Sequence, residues 1–290
     1  MTIELSKKQK FLKGLFKVLP HHAVSRVVYL VTRLRGPHVT PMVRWFVNKY
    51  GVDMSDAEEP EPAYYQTFNE FFTRPLKYRI RPIAEGETSI ACPCDGTVSQ
   101  VGPIRSGAIL QAKGRAYSAL ELLGGDKALA GQFANGRFAT IYLAPRDYHR
   151  VHMPLDANLV RMLHVPGRLF SVADWTVQEI PRLFARNERL VCHFETAAGP
   201  VVMVLVGAIN VSAIETIWSG LVVPPRARSI NTYDYSHTRK EIRKGEEMGR
   251  FNMGSTVILL TGANVEWSPE LKPGQPLKMG QSIGQFSAPA

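Results

Sequence analysis

The sequence feature that most constrains the fold is a change of pattern at Ser89. From there onward the chain consists mainly of short β-branched and apolar runs separated by Gly, Pro, Asn and Asp, which is typical of strands joined by turns. Such runs include residues 96–98, 138–143, 201–206, 213–217 and 255–260. Residues 118–133 and 172–184 are the predicted helical insertions. We therefore predict an α+β fold with a β-rich core that resembles a barrel or a sandwich.

The first fifty residues differ from this core in charge and in periodicity. They carry ten Lys and Arg against one acidic residue, Glu4, so they hold nearly all of the net charge of +10. Apolar residues recur at helical spacing in three stretches, which end at Pro20, Gly36 and Tyr50. Such a segment either lies on an anionic membrane or forms a helical cap with a solvated basic face. Nucleic-acid binding is not expected, because no recognised binding motif accompanies the charge.

An acidic linker or surface loop separates the two parts. Residues 51–62 contain five acidic residues and two prolines, so the sign of the charge changes there. We assign residues 1–62 to a helical, membrane-associating segment with its linker, and residues 63–290 to the core. Thr67 is the predicted N-cap of a short helix, with Glu70 three residues later as its capping-box partner.

Neither a secretory signal nor a membrane-spanning helix is expected. Lys13 and Lys17 interrupt the apolar residues near the N-terminus, and no small-residue cleavage site follows them. The longest uncharged run, residues 196–214, contains glycine and proline and is rich in valine, which favours paired strands. The three cysteines lack the spacing of a disulfide framework, which fits a reducing compartment.

Three separated groups of residues have the chemistry of a catalytic site. His149 and His152 follow a predicted strand, and alone they can be metal ligands, a base and its neighbour, or structural histidines. Asp95 begins a turn, where aspartate is common for local hydrogen-bonding reasons. Gly254 and Ser255 form an ordinary turn pair and lack the GxSxG elbow of a hydrolase. Asp95 becomes catalytic only if its carboxylate orients a histidine that activates a nucleophile.

Several segments together resemble bacterial phosphatidylserine decarboxylase proenzymes, which are pyruvoyl-dependent. They are FNEFFTR (68–74), DG (95–96), YLAPRDYHRVHMP (142–154), FARNER (184–189) and GRFNMGST (249–256). The resemblance covers essentially the whole chain in order. The family often has Leu-Gly-Ser-Thr at its processing site, whereas this chain has Met253 before Gly254.

The resemblance implies that the chain cuts its own Gly254–Ser255 bond with a triad of Ser255, His152 and Asp95. Asp95 would hold His152, and His152 would take the Ser255 hydroxyl proton while the oxygen attacks the Gly254 carbonyl. Elimination from the resulting ester separates residues 1–254 (the beta chain) from residues 255–290 (the alpha chain), and the two stay associated. Ser255 becomes a pyruvoyl group, which is the expected cofactor, and no metal is expected.

The resemblance also implies the reaction and its setting. Phosphatidylserine would form a Schiff base, lose carbon dioxide and leave as phosphatidylethanolamine, in phospholipid biosynthesis. His149 would bind substrate and deliver a proton to the former α-carbon, for which its ordinary pKa of about 6.5 is suited. Ser171 is expected to reach the head group and Arg168 to contact the lipid. The implied location is peripheral, on the cytoplasmic side of a bacterial plasma (inner) membrane, and a homodimer is left open.

Two other functions are consistent with the residues alone. A zinc hydrolase would use His149, His152 and Asp95 as ligands around an activated water. A non-catalytic membrane-surface or scaffold module would use the same residues structurally. Only the self-processing enzyme requires Ser255 and predicts two chains.

Overall fold

The computed structural model describes residues 20–209, 213–223, 228–238, 240–253 and 255–287. The first predicted helix, before Pro20, and Gly254 of the predicted cleavage site lie outside the described residues.

The described residues form short helices and many strands. The helices are α1 (His21–Val31), α2 (Val39–Tyr50), α3 (Phe68–Phe72), α4 (Ala119–Leu122), α5 (Lys127–Gln132), α6 (Asp174–Glu179) and α7 (Leu183–Arg186). The strands are β1 (Ser89–Ala91), β2 (Gly96–Pro103), β3 (Ala108–Ala112), β4 (Arg115–Ser118), β5 (Arg137–Leu143), β6 (Arg150–His152), β7 (Ala157–Val165), β8 (Arg189–Thr196), β9 (Gly199–Val206), β10 (Ala213–Thr216), β11 (Gly220–Val223), β12 (Asn231–Asp234), β13 (Glu241–Ile242), β14 (Glu247–Asn252), β15 (Ser255–Thr261), β16 (Val265–Trp267), β17 (Pro276–Leu277) and β18 (Ser282–Phe286).

The strands pair antiparallel in four sheets. The largest has the order β12-β7-β8-β9-β15-β5-β2-β17, with β13 also paired to β7. A four-stranded sheet has the order β11-β10-β14-β6, a three-stranded sheet has the order β1-β18-β16, and β3 and β4 form a separate hairpin. The predicted α+β class with a β-rich core is therefore confirmed. The sheets do not close into a barrel, so that part of the expectation is not met.

Strand β15 lies in the middle of the largest sheet. It pairs with β5 on one side and β9 on the other, and all seven of its residues are buried. A strand covered on both faces has no polar alternation, which explains the continuous apolar run that follows Ser255 in the sequence. The valine-rich part of residues 196–214 likewise forms strand β9, as predicted. Among the described residues, no helix is long and apolar enough to cross a membrane.

The helices that precede the sheets pack partly on one another. Val43 and Phe46 of α2 belong to a buried apolar cluster with Phe68 and Phe72 of α3. Helix α3 begins as predicted, because the Thr67 side chain accepts a hydrogen bond from the Glu70 backbone N–H. This cluster includes residues on both sides of position 62. The division of the chain near that position stays a prediction.

Both predicted helical insertions are present, each as two short helices. Residues 118–133 contain α4 and α5, and a capping box between Ser118 and Glu121 starts α4. Residues 172–184 contain α6 and the start of α7.

Candidate active site

The predicted nucleophile begins the central strand of the largest sheet. The chain leaves the four-stranded sheet at Asn252 and enters the largest sheet at Ser255, where it pairs with Leu143. Between them, Met253 has a φ of 90°, a conformation that side-chain-bearing residues rarely adopt. Ser255 is fully buried, and its Oγ has no hydrogen-bond partner among the described residues. The Ser255 hydroxyl is thus buried without a hydrogen bond to any described residue, two positions after a backbone conformation that is rarely adopted.

The loop that carries the two histidines runs beside this crossing. Leu143, at the end of β5, lies opposite Ser255, and the carbonyl of His149 accepts the backbone N–H of Phe251 at 3.0 Å. Residues 144–149 thus connect β5 of the largest sheet to β6 of the four-stranded sheet. His149 thus lies beside Phe251, close to the crossing, whereas His152 lies opposite Glu247, farther back along β14 from Ser255.

The ring of His152 has both nitrogens engaged. Nδ1 lies 2.8 Å from the carbonyl oxygen of Gly245, and Nε2 lies 2.9 Å from the hydroxyl of Tyr148. Because a carbonyl can only accept, Nδ1 carries the proton and Nε2 accepts from Tyr148 in the neutral ring. Burial lowers the pKa of His152, which favours that neutral form. The lone pair of His152 Nε2 is thus occupied by the hydrogen bond from Tyr148.

Asp95 is bound elsewhere. Its carboxylate accepts from Arg81 Nε at 3.2 Å and Nη2 at 2.8 Å, from the Met279 N–H at 2.8 Å and from Lys278 Nζ at 3.2 Å. Burial alone would raise the pKa of Asp95, but the hydrogen bonds from Arg81 and Met279 and the nearby positive charges outweigh it and hold the pKa below its usual range. The structure therefore does not form the predicted Asp95–His152 hydrogen bond.

The position of Asp95 follows from the strand that comes after it. Gly96 opens β2 so close to β5 that a Cβ on it would lie 2.5 Å from the Tyr142 carbonyl oxygen. Only glycine permits this approach, which explains the Asp-Gly pair. Arg81, Lys278, Tyr148 and Gly245 are partners that the sequence did not predict. Of these, only Tyr148 had a signal, because it lies within the segment 142–154 that carries the resemblance.

His149 lies in an apolar setting. It is fully buried, its Nδ1 donates to the Asp147 carbonyl at 2.8 Å, and its ring centroid is 4.1 Å from that of Phe72. Its Nε2 has no hydrogen-bond partner among the described residues. Burial lowers the pKa of His149 to about 3. The expected near-neutral pKa is therefore not found, and Nε2 presents a lone pair at neutral pH.

Ser171 and Arg168 lie on a different loop from the histidines. Backbone hydrogen bonds tie Arg168 to Arg186 and Glu188, both at 2.8 Å, and its side chain is exposed. The Ser171 hydroxyl is half-buried and accepts from the Ala173 N–H. Among the described residues, no hydrogen bond joins either of the two to His149, His152 or Ser255.

The three ligands of the alternative zinc site do not converge. The nitrogens of His152 are engaged by Tyr148 and Gly245, and the oxygens of Asp95 by cations and a backbone N–H. The described part of the chain contains no group of three or more His, Cys, Asp and Glu arranged to hold a metal.

Comparison with known proteins gives one consistent result. The family described as phosphatidylserine decarboxylase matches residues 68–285, and a second family, described as PSD, matches residues 15–51. A phosphatidylserine decarboxylase proenzyme of Stutzerimonas stutzeri is 51% identical over 278 residues, which are 94% of this chain and 93% of that protein. Proenzymes of the same description from Photobacterium profundum and Pseudomonas fluorescens are 50% and 49% identical, over 95% and 96% of this chain and 96% and 98% of theirs.

Proposed function

This chain belongs to the phosphatidylserine decarboxylase family, and from that premise we propose that it cuts itself between Gly254 and Ser255 and converts Ser255 into a pyruvoyl group. As a member of the family it is a decarboxylase that converts phosphatidylserine to phosphatidylethanolamine in phospholipid biosynthesis. The proenzyme description of its relatives implies chains that arise from one precursor.

The observation that carries the self-cleavage proposal is the buried, unpartnered hydroxyl of Ser255 just after the strained Met253. A residue held in a sparsely populated backbone region costs of order 1–3 kcal/mol. Cutting the chain beside it releases that strain. Because Ser255 Oγ has no partner to give up, it can turn to attack without losing a hydrogen bond.

His152 is the proposed general base for this step. Its Nε2 carries the lone pair that would accept the Ser255 hydroxyl proton, once the Tyr148 hydroxyl turns away. The Gly245 carbonyl already fixes the tautomer, which is the task that the sequence analysis gave to Asp95. Asp95 remains the proposed third member of the triad. It is supported by its negative charge, which favours the protonated form of His152.

A pyruvoyl group at position 255 is supported by two unpartnered buried atoms, Ser255 Oγ and His149 Nε2. Such a group supplies a carbonyl that reacts with the substrate amine and takes up the electrons left when carbon dioxide departs.

His149 is the proposed proton carrier of the decarboxylation. With Nδ1 fixed on the Asp147 carbonyl, its Nε2 must first accept a proton before it can give one. The substrate ammonium, which must be neutralised before it reacts, is the proposed source of that proton. His149 then returns the proton to the former α-carbon, while Phe72 keeps the ring in a fixed orientation.

The loop with Arg168 and Ser171 is the proposed receiver of the lipid. It is held between residues 186–188 and the N-terminus of α1, where the Leu169 N–H points at His21 Nδ1 at 3.4 Å. The exposed guanidinium of Arg168 suits an anionic lipid.

The membrane contact is proposed for the outer face of α1. Val27, Leu30 and Val31 lie on α1 at helical spacing, Leu34 follows its C-terminal end, and all four are 44–60% exposed. Arg26 and Arg35 in the same stretch are exposed and supply positive charge near anionic lipid, whereas Arg33 lies 3.9 Å from Glu215. This supports peripheral binding, which we assign to the cytoplasmic side of a bacterial plasma membrane. The homodimer stays a prediction.

The mass of the purified protein tests the proposal. The wild type should give fragments of residues 1–254 and 255–290, the second with a pyruvoyl group in place of its first serine. Ser255→Ala should leave a single chain without decarboxylase activity, and exposed Ser282→Ala should behave as the wild type.

Replacement of His149 distinguishes self-cleavage from decarboxylation. His149→Ala should cut itself but should not release carbon dioxide from phosphatidylserine. A wild-type chain that stays intact while it decarboxylates the lipid would refute the pyruvoyl proposal. Equal loss of cleavage and turnover in His149→Ala would refute the role of His149.

A further inference from the structure

Arg74, at the end of the FNEFFTR segment, is a buried cation without a counter-ion. It is 3% exposed, and its Nη2 donates a long hydrogen bond of 3.4 Å to the Arg146 carbonyl. Its Nε has no partner, and no described carboxylate forms an ion pair with it. Burial of an unpaired guanidinium is unfavourable unless something else binds it.

Arg74 lines a cavity of about 300 Å³ that also contacts Asp95, Tyr148, Asp147 and Arg146. This volume is at the lower end of the range for small-molecule sites, so it accommodates a polar head group but not acyl chains. Arg146 is exposed and has no ion pair among the described residues. The cavity therefore has one buried and one exposed guanidinium that are not bound to a carboxylate.

The other cations at this cavity are already paired. Arg81 bridges Asp56 and Asp95, with 2.8 Å to each, and Lys278 lies 3.2 Å from Asp95. Asp147 accepts the Ala144 N–H at 2.7 Å, and Asp53 accepts from the N–H and the hydroxyl of Ser55, so neither carboxylate forms an ion pair with Arg74 or Arg146. Arg74 and Arg146 are therefore the guanidinium groups at this cavity that no carboxylate holds, and an anion between them would be bound by both.

The cavity adjoins the residues assigned to the reaction. Phe72, two positions before Arg74, packs on His149, and the Thr73 carbonyl accepts from Arg150 Nε at 2.9 Å. After burial, the charge of Arg74 is one of the causes that lower the pKa of His149. A ligand on Arg74 is therefore close to the proton carrier.

We propose that this cavity binds the phosphodiester of the lipid head group, with Arg74 as the main contact and Arg146 at the entrance. The inference rests on the function proposed above. The phosphodiester keeps its charge throughout the reaction, whereas the carboxylate loses its charge as it leaves. A buried cation on the carboxylate would stabilise the substrate more than the transition state and slow the reaction. A planar guanidinium fits two phosphate oxygens at once.

Competitive inhibition of the self-cleaved enzyme tests this assignment, with a short-chain phosphatidylserine as substrate. The inhibitors are glycerophosphoethanolamine, which has the phosphodiester but no carboxylate, inorganic phosphate, and ethanolamine, which has no phosphate. Arg74→Gln should raise the inhibition constant of the phosphodiester and the KM about 10- to 100-fold, as expected for the loss of a charged hydrogen bond. Arg74→Gln should change kcat less than KM. The KM and the inhibition constant of Arg74→Lys should lie between those of the wild type and those of Arg74→Gln.

The controls separate binding from folding and from self-cleavage. Exposed Arg105→Gln should match the wild type, and the fragment masses should show that Arg74→Gln is still cut. If Arg74→Gln fails to fold or to cut itself, Arg146→Gln should still raise the inhibition constant of the phosphodiester several-fold.

Three results would overturn the assignment. One is an unchanged phosphodiester inhibition constant in these variants, or no inhibition of the wild type. Another is a rise in the inhibition constant of ethanolamine in Arg74→Gln that equals the rise for the phosphodiester. The third is tighter binding of inorganic phosphate than of the phosphodiester to the wild type. An uncut wild-type chain would instead contradict the function proposed above.

Discussion

Replacement of Asp95 by asparagine separates its structural role from its proposed catalytic one. An asparagine oxygen can still accept from Met279 N–H and Arg81 Nε, but its NH₂ group faces Arg81 Nη2 and Lys278 Nζ, which are donors. Two charge-assisted hydrogen bonds are therefore lost in a buried site. Each is worth about 1.5–3 kcal/mol.

The sum of these two hydrogen-bond energies overestimates the loss of stability. Arg81 keeps its ion pair with Asp56 at 2.8 Å, and the Lys278 side chain is 63% exposed, so that solvent screens its bond. We expect Asp95→Asn to lower the free energy of unfolding by about 3 kcal/mol, which is roughly 6–12 °C in Tm. The pKa of Asp95 is held low in the folded state, so this stability is present above the unfolded pKa of about 3.9 and is lost as the pH falls through the folded pKa.

The assay is thermal unfolding of uncut chains. Ser255→Ala should be compared with the double variant that also carries Asp95→Asn, and Asp53→Asn, an exposed aspartate at the same cavity, is the matched control. Self-cleavage of Asp95→Asn is measured separately with Ser255 intact. A Tm within about 1 °C of the parent, together with abolished cleavage, would refute the structural role and favour a direct Asp95–His152 contact.

Four other perturbations test the remaining assignments. Tyr148→Phe should free Nε2 of His152 and speed self-cleavage about five- to tenfold, which corresponds to the free energy of one hydrogen bond. The rate is read from a time course of fragment formation, and slower cleavage would mean that the Tyr148 hydroxyl assists the reaction instead. Met253→Gly should relieve the positive φ and slow cleavage about five- to thirtyfold. Its effect on Tm is not diagnostic, because the variant also removes a side chain that packs on the apolar cluster of α2 and α3. Unchanged cleavage rates would mean that strain plays no part. Burial lowers the pKa of His149 to about 3, so the unfolded state binds more protons below about pH 6.5 and the uncut chain should lose stability as the pH falls. Because burial also lowers the pKa values of His152 and His193, His149→Gln should reduce that loss but not remove it in pH-dependent unfolding. Leu30→Asp should reduce cosedimentation with anionic vesicles but spare activity on short-chain substrate, and full vesicle binding would place the membrane contact elsewhere.

Much of the fold follows from local signals. The capping residues Thr67 and Glu70 start a helix where the sequence places one, and the valine-rich run that contains β9 forms a buried strand. Such features depend on neighbours along the chain, so periodicity and turn residues are sufficient to predict them. The closure of the sheets depends on which strands pair at long range. Periodicity carries no information on that pairing, and the barrel-like expectation was not met.

The site divides in the same way. The sequence alone determined the residue types at Asp95, His149, His152 and Ser255 and, through the segments that resemble a known family, the chemistry to expect of them. Only the tertiary structure decided that Asp95 meets Arg81 while His152 meets Tyr148 and Gly245. Of these pairs, His152 and Gly245 are the farthest apart in the chain, at 93 residues. Hydrogen bonds form between groups that the fold brings within about 3 Å, and no local pattern records that distance.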